Sequence, residues 1–425
     1  MHFSRKLVVL SALLFPCSFV AAQAALQQGD RIAICGDSIT EQKIYSVDME
    51  DYLQMCKPRP DLRTNQFGWS GETTWGFAAR IESDVLPFKP TVATTFYGMN
   101  DGGYSMLADD RAKQFHDATI SIIEQFKKAG VRFIVVGSPG AVDTDTFKFF
   151  AQDVPNKAEL YNKTLGQLGE MAESIAKQEG VTFVDVHDEM LKVMAAAKEK
   201  FGHSYVFAGG DGIHPGPNGH LVIAYCFLKG LGCDGNIGTI QFDAAAGSAT
   251  ASGGHKVVAA TKNSIQMEST QYPFCFVGDD ATRKSTTDLV QLFPFNEDLN
   301  RFTLIVKNAP AEKMSVSFGP SSKTFSKADL EKGINLAAEF LDNPFCGEFA
   351  KAEQAIQAQQ AFETPAVKQL LHNTPQYRDL LPEQRDNFNQ MVAATLKKDA
   401  DLQAAVEAAI TPVDYTIKIE PATEK

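Results

Sequence analysis

Four short segments concentrate side chains able to do chemistry: Gly36-Asp37-Ser38-Ile39-Thr40, Gly68-Trp69-Ser70-Gly71-Glu72-Thr73, Gly98-Met99-Asn100-Asp101 and Asp211-Gly212-Ile213-His214-Pro215. A serine hydroxyl is a weak nucleophile at neutral pH and needs a base within hydrogen-bond reach. His214 is the best candidate, because Asp211, three residues earlier on a tight turn containing Gly212, can fold back onto Nδ1 and leave Nε2 free for Ser38. Each segment alone is ordinary turn or cap chemistry. Their joint occurrence in this order is the signal.

The elements around them explain why they gather. Arg31 to Cys35, a short run ending at Phe67, Thr91 to Phe96, Val131 to Val136 and Val181 to Val186 read as strands. Phe115, Thr119, Ile122, Ile123 and Phe126 repeat at helical spacing before Gly130; Tyr161 to Gln178 and about Asn218 to Leu231 form further helices. Alternating strands and helices imply a parallel sheet with helices on both faces, where ligand chemistry collects at the carboxyl ends of the strands. The four segments fall at strand ends or a helix start.

With these blocks in place the chain resembles the SGNH hydrolases, the GDSL-type esterase superfamily, over about residues 28 to 238. The resemblance implies a flavodoxin-like three-layer α/β/α core and a catalytic set of Ser38 as nucleophile, Gly71 and Asn100 as oxyanion residues and His214 as base, with Asp211 behind it. Ile39 stands where the family usually has Leu. Attack on an acyl carbon creates an oxyanion, which the Ser38 and Gly71 N–H groups and the Asn100 amide can meet with three donors. No cofactor or metal is expected. Gly68-Trp69-Ser70-Gly71-Glu72 fails the nucleophile-elbow pattern at its last position, there is no phosphate-binding loop, and no Cys/His spacing suits zinc. His220 is expected to pack or cap.

Both tryptophans of the chain, Trp69 and Trp75, lie within four residues of Gly71. Together with Asp37 and Tyr97 they are the expected substrate-contacting residues, the alternative being that the aromatics pack beneath the loops. A flat apolar wall suits the face of a sugar ring, and the chain resembles secreted bacterial carbohydrate esterases. The leading expectation is a polysaccharide or oligosaccharide O-deacetylase. A non-catalytic glycan-binding protein on the same fold, or a lipase- or thioesterase-type SGNH hydrolase, stands as the alternative.

At 425 residues, 44% hydrophobic and 22% charged, the composition is globular, and the length favours two domains. Arg5 and Lys6, the apolar Leu7 to Ala22 and Ala22-Gln23-Ala24 read as a signal peptide over 1-24, implying a secreted or periplasmic protein. Its removal takes the net charge from −12 to −14 by loss of Arg5 and Lys6. That charge disfavours nucleic acid as a partner, and no other segment reads as a membrane span. Six cysteines remain, Cys35 and Cys226 within apolar runs. The catalytic domain is assigned to 25-238. Residues 239-425 read as a β-rich and helical accessory region, with helical stretches from Ser326 to about Ile410 broken at Pro344, Pro365, Pro375 and Pro382 and a last strand at Tyr415 to Ile419. A support or lid over the site is the expected role.

Overall fold

In the computed structural model, residues 25–278 and 280–422 are described; the expected signal segment, 1–24, lies outside the described residues. The apolar run Arg31–Gly36 (β1) pairs in parallel with Arg63–Gly68 (β2) on one side and Val92–Phe96 (β3) on the other. Phe133–Gly137 (β4) and Thr182–Val184 (β5) complete a parallel sheet of order β2-β1-β3-β4-β5. This is the flavodoxin-like order, in which the direction of strand addition reverses between β1 and β3 and leaves a crevice at their carboxyl ends.

The period of two along β1 sorts its side chains between two layers. Ala33 and Cys35 face Phe77 and Ile81 of Thr74–Asp84 (here α3) and Ile122, Ile123 and Phe126 of Asp109–Lys128 (α4). Ile32 and Ile34 join the opposite layer, built from Ser38–Glu41 (α1), Tyr45–Asp51 (α2), Val186–Phe201 (α6) and Pro217–Gly230 (α7). Lys157–Glu179 (α5) contributes to both. Helix α6 has no counterpart in the sequence reading. Asp185 caps it by accepting from the Asp188 N–H, which stops β5 short of Val186.

Beyond α7 the chain forms two further sheets. Asn236–Asp243 (β6), Ser248–Ala251 (β7), Arg301–Lys307 (β10) and Ile334–Asn335 (β13) make one, in the order β13-β10-β6-β7. His255–Thr261 (β8), Ser264–Ser269 (β9), Lys313–Phe318 (β11), Ser321–Ser326 (β12) and Val413–Pro421 (β14) make the other, where β14 returns to the middle between β11 and β9. Strand β6 runs through residue 238, and Phe227 of α7 shares one buried apolar cluster with Phe242, Phe302 and Phe345. The two regions are therefore joined by a common core.

A helical arm returns from this region to the first sheet: Cys346–Pro365 (α8), a π-helical segment Ala366–Leu371 and, after a shorter helix, Arg385–Ala409 (α9). Pro365 does not break the chain as expected. The helix continues through it and then widens to i→i+5 pairing over Ala366–Leu371. Helix α8 lies along edge strand β2 and satisfies its free backbone groups with side chains: Glu363 accepts the Gln66 N–H at 2.8 Å, and Gln359 donates to the Thr64 carbonyl at 3.3 Å. Among the described residues no helix is long and apolar enough to cross a membrane.

Candidate functional site

Ser38 is the first residue of α1, directly beyond β1. Asp37 caps that helix, its Oδ1 accepting from the Ile39 N–H at 3.0 Å. His214 lies on the loop before α7, and its Nε2 is 2.8 Å from Ser38 Oγ. Its Nδ1 is 2.7 Å from Asp211 Oδ2, while Asp211 Oδ1 accepts the N–H groups of Ile213 and His214 at 2.9 and 3.0 Å. Desolvation alone would raise the Asp211 carboxyl, but the His214 ring and these two amides outweigh it and hold it below the ordinary carboxylate value. The carboxylate is thus fixed as an acceptor. Since Asp211 accepts, the proton sits on Nδ1, and Nε2 accepts from Ser38.

The loop carrying His214 is itself anchored. Asp143 donates its N–H to the Gly212 carbonyl at 2.9 Å and accepts from Phe207 N–H, and its carboxylate is paired with the buried Lys198 at 2.7 Å.

On the other side of Ser38, the β2 loop makes a turn in which the Glu72 N–H donates to the Trp69 carbonyl at 3.1 Å. Gly71 is the third residue of that turn and has φ +77°, the type II geometry that favours glycine. A Cβ there would meet no protein atom within 4 Å, so backbone conformation, rather than protein crowding, sets the residue type. Asn100, beyond β3, donates from Nδ2 to the Glu72 carbonyl at 2.9 Å, and its Oδ1 accepts from Tyr104 at 3.0 Å. The amide is therefore held in one orientation, with Nδ2 also 3.5 Å from Asp37 Oδ2. Neither the Ser38 nor the Gly71 N–H has a protein acceptor among the described residues.

The residues expected to contact substrate separate into two groups. Trp75 is 38% exposed at the start of α3. Tyr97 is instead buried: its hydroxyl donates to Glu72 at 3.0 Å and its ring stacks on Phe77. Asp37 is buried as well, and burial pushes its carboxyl up to about 7 against the pull of the Ile39 N–H. Trp69 is boxed in by Lys368 and Arg80, 4.7 and 5.0 Å from its ring centroid, and by the His372 edge. Tyr97 and Asp37 support the loops from beneath, because their polar groups already have protein partners, and the half-buried Trp69 ring is taken up by the two cations. His220 is buried and packs against Tyr45. Burial lowers it to about 3, and it accepts from the Tyr45 N–H while its other nitrogen meets Gln42.

Several supporting residues carried no signal of their own in the sequence. Asp101 accepts from the Gly98 N–H and from the Thr74 N–H and hydroxyl, tying the Asn100 loop to the start of α3. Glu72 forms a two-point pair with Arg80, both contacts 2.6 Å, and Arg80 also donates to the Phe67 carbonyl. Asp101 and Glu72 lie within two of the four segments, but Arg80 lies outside them, and the eight-residue spacing from Glu72 becomes a pair only after the turn folds. The cavities of about 270 Å³ beside α2 and α7 and about 660 Å³ between α3 and the arm do not include Ser38 or His214.

The chain is similar to known proteins over both of its regions. Residues 34–222 match the GDSL-like lipase/acylhydrolase family. An acetylxylan esterase of Geobacillus stearothermophilus is 24% identical over 227 residues, which cover 48% of this chain and 94% of that protein. The solved structure of a gut microbial diltiazem-metabolizing enzyme superposes with a TM-score of 0.71 at 22% identity, over 94% of this chain and 99% of that one. The fold of the C-terminal region is therefore shared as well. With the sheet order and the family match taken together, residues 34–222 form an SGNH hydrolase core of the GDSL-like lipase/acylhydrolase type.

Proposed function

We propose that the protein is an exported serine esterase that removes acetyl groups from O-acetylated glycans through an acyl-enzyme. The observation that carries the catalytic part is the line from Ser38 Oγ through His214 to Asp211, with successive separations of 2.8 and 2.7 Å. In this reading His214 Nε2 takes the Ser38 proton as Oγ attacks the ester carbon, and the imidazolium so formed is stabilised by Asp211. The oxyanion is met by the unpartnered Ser38 and Gly71 N–H groups and by Asn100 Nδ2, whose orientation Glu72 and Tyr104 set in advance. Donors fixed before the reaction need no reorganisation during it. His214 then protonates the leaving alcohol, and water attacks the acyl-enzyme by the same route.

The glycan part rests on the named activity of the Geobacillus relative and on the exposed Trp75 ring, four residues after Gly71. Export rests on the composition of residues 1–24. Purified protein beginning at Ala25 should release acetate from acetylated xylan or pectin and react with a fluorophosphonate probe, both lost in Ser38→Ala. Cleavage of nitrophenyl acetate with no acetate from any glycan would sink the substrate assignment. Absence of probe labelling would instead favour a non-catalytic binder.

A further inference from the structure

The C-terminal arm meets the site at the Glu41 carboxylate and the Trp69 ring. Glu41 sits at the end of α1, three residues after Ser38. One of its oxygens is 2.8 Å from Lys368 Nζ in the π-helical segment of the arm, and the other accepts the Ser70 N–H. The same ammonium lies 4.7 Å from the centre of the Trp69 ring. At its start the turn is close-packed on α1: a Cβ at Gly68 would fall 2.2 Å from the Glu41 nitrogen.

These contacts fix every backbone N–H around Gly71 except its own. Trp69 N–H donates to the Gly36 carbonyl, Ser70 N–H to Glu41 and Glu72 N–H to the Trp69 carbonyl. The Gly71 N–H is left as the free donor. We propose that Glu41 and Lys368 are positioning residues for that N–H, so that the arm completes the oxyanion site of the catalytic core. The ordinary alternative is a stabilising surface ion pair, and such pairs contribute little. Three features separate this one from that class. Both side chains are largely covered, at 20% and 25% exposure. Glu41 uses both oxygens on different elements. And although desolvation would raise its carboxyl, Lys368 and the Ser70 donors hold it below the ordinary value, so it stays charged as an acceptor.

The assignment rests on the serine-esterase reading, since it concerns the donor for that reaction. In Lys368→Met the apolar stem is kept and the charge is lost, and kcat for nitrophenyl acetate should fall by roughly 10- to 100-fold with KM within about threefold. Complete removal of one oxyanion donor typically costs ~10²- to 10³-fold, and misaiming it should cost less. Lys368→Arg restores a cation for both Glu41 and Trp69 and should recover most of the loss. Glu41→Gln, which retains the shape of the side chain, should lower kcat in the same way if the Met variant folds poorly. Lys397→Ala, in an exposed pair of α9, serves as the control and should match the unaltered protein.

Hydrogen exchange of a peptide spanning residues 69–72 should accelerate in Lys368→Met while exchange in β3 and β4 does not change. Unchanged kcat, a rise in KM alone, no rescue by Arg, or accelerated exchange throughout the sheet would each overturn the proposal. If the unaltered protein shows no Ser38-dependent turnover, the esterase reading fails by itself, and the exchange measurement still reports whether Lys368 holds the turn.

Discussion

Replacing Asp211 with Asn removes one charge and almost no volume, yet the structure predicts a large kinetic loss. The two backbone N–H groups on Oδ1 decide which way the new amide points. If its oxygen keeps both, its NH₂ faces His214 Nδ1, and the ring must carry its proton on Nε2, where it cannot accept from Ser38. Turning the amide over restores the useful tautomer but sets two N–H groups against an NH₂. Losing two hydrogen bonds of roughly 1 kcal/mol each makes that orientation about 30-fold rarer. When the imidazolium forms, a neutral amide also replaces a charge-assisted partner, for a further ~1.5 kcal/mol or about tenfold. The product is a loss of roughly 300-fold or more in kcat, with KM little changed and still less severe than His214→Ala. Steady-state kinetics on nitrophenyl acetate, with Ser38→Ala as the blank, provide the measurement. A loss below about tenfold would refute the tautomer argument.

Other expectations follow from the same geometry. Asn100→Ala should lower kcat by ~10²- to 10³-fold without altering the melting temperature much, because Nδ2 is an oriented donor. Gly71→Ala must either keep φ near +77°, at about 1–2 kcal/mol, or relax to negative φ and turn the central peptide of the turn, so kcat should fall at nearly constant KM in steady-state kinetics. Glu50, fully buried beneath Gln360 of α8, is pushed by burial from 4.5 up to about 7. The folded state then holds a proton that the unfolded chain releases, so its contribution is complete below pH 4.5, declines through the interval to about 7 and is lost above it. Thermal melts should show stability falling across that window by up to about 3 kcal/mol from this group, and Glu50→Gln should flatten the profile. An unchanged slope in that variant would exclude Glu50 as the source.

The active face was legible because its residues follow strands whose apolar runs are unmistakable. Ser38, Gly71 and Asn100 each stand a few residues beyond β1, β2 and β3, and Asp211 and His214 lie just before α7. The last strand of the C-terminal region was also visible, since alternation in Tyr415 to Ile419 survives local reading. Sequence patterning could not show that α8 returns to β2: the contacts between Glu363 and Gln66 or Lys368 and Glu41 span about 300 residues and involve polar side chains on an unremarkable helix. The same limit explains Trp69. Two aromatics near a catalytic glycine suggest a sugar platform, but cations contributed by α3 and by the arm take up one of them.

The covering of β2 by α8 has a consequence for anyone shortening the chain. Cutting after residue 238 would divide β6, strip Phe242 and Phe302 from the common core and leave the Thr64 carbonyl and Gln66 N–H open along an edge. An uncovered edge is a template for pairing with other molecules. The truncated product is therefore expected to aggregate, and the intact protein to melt in one cooperative transition.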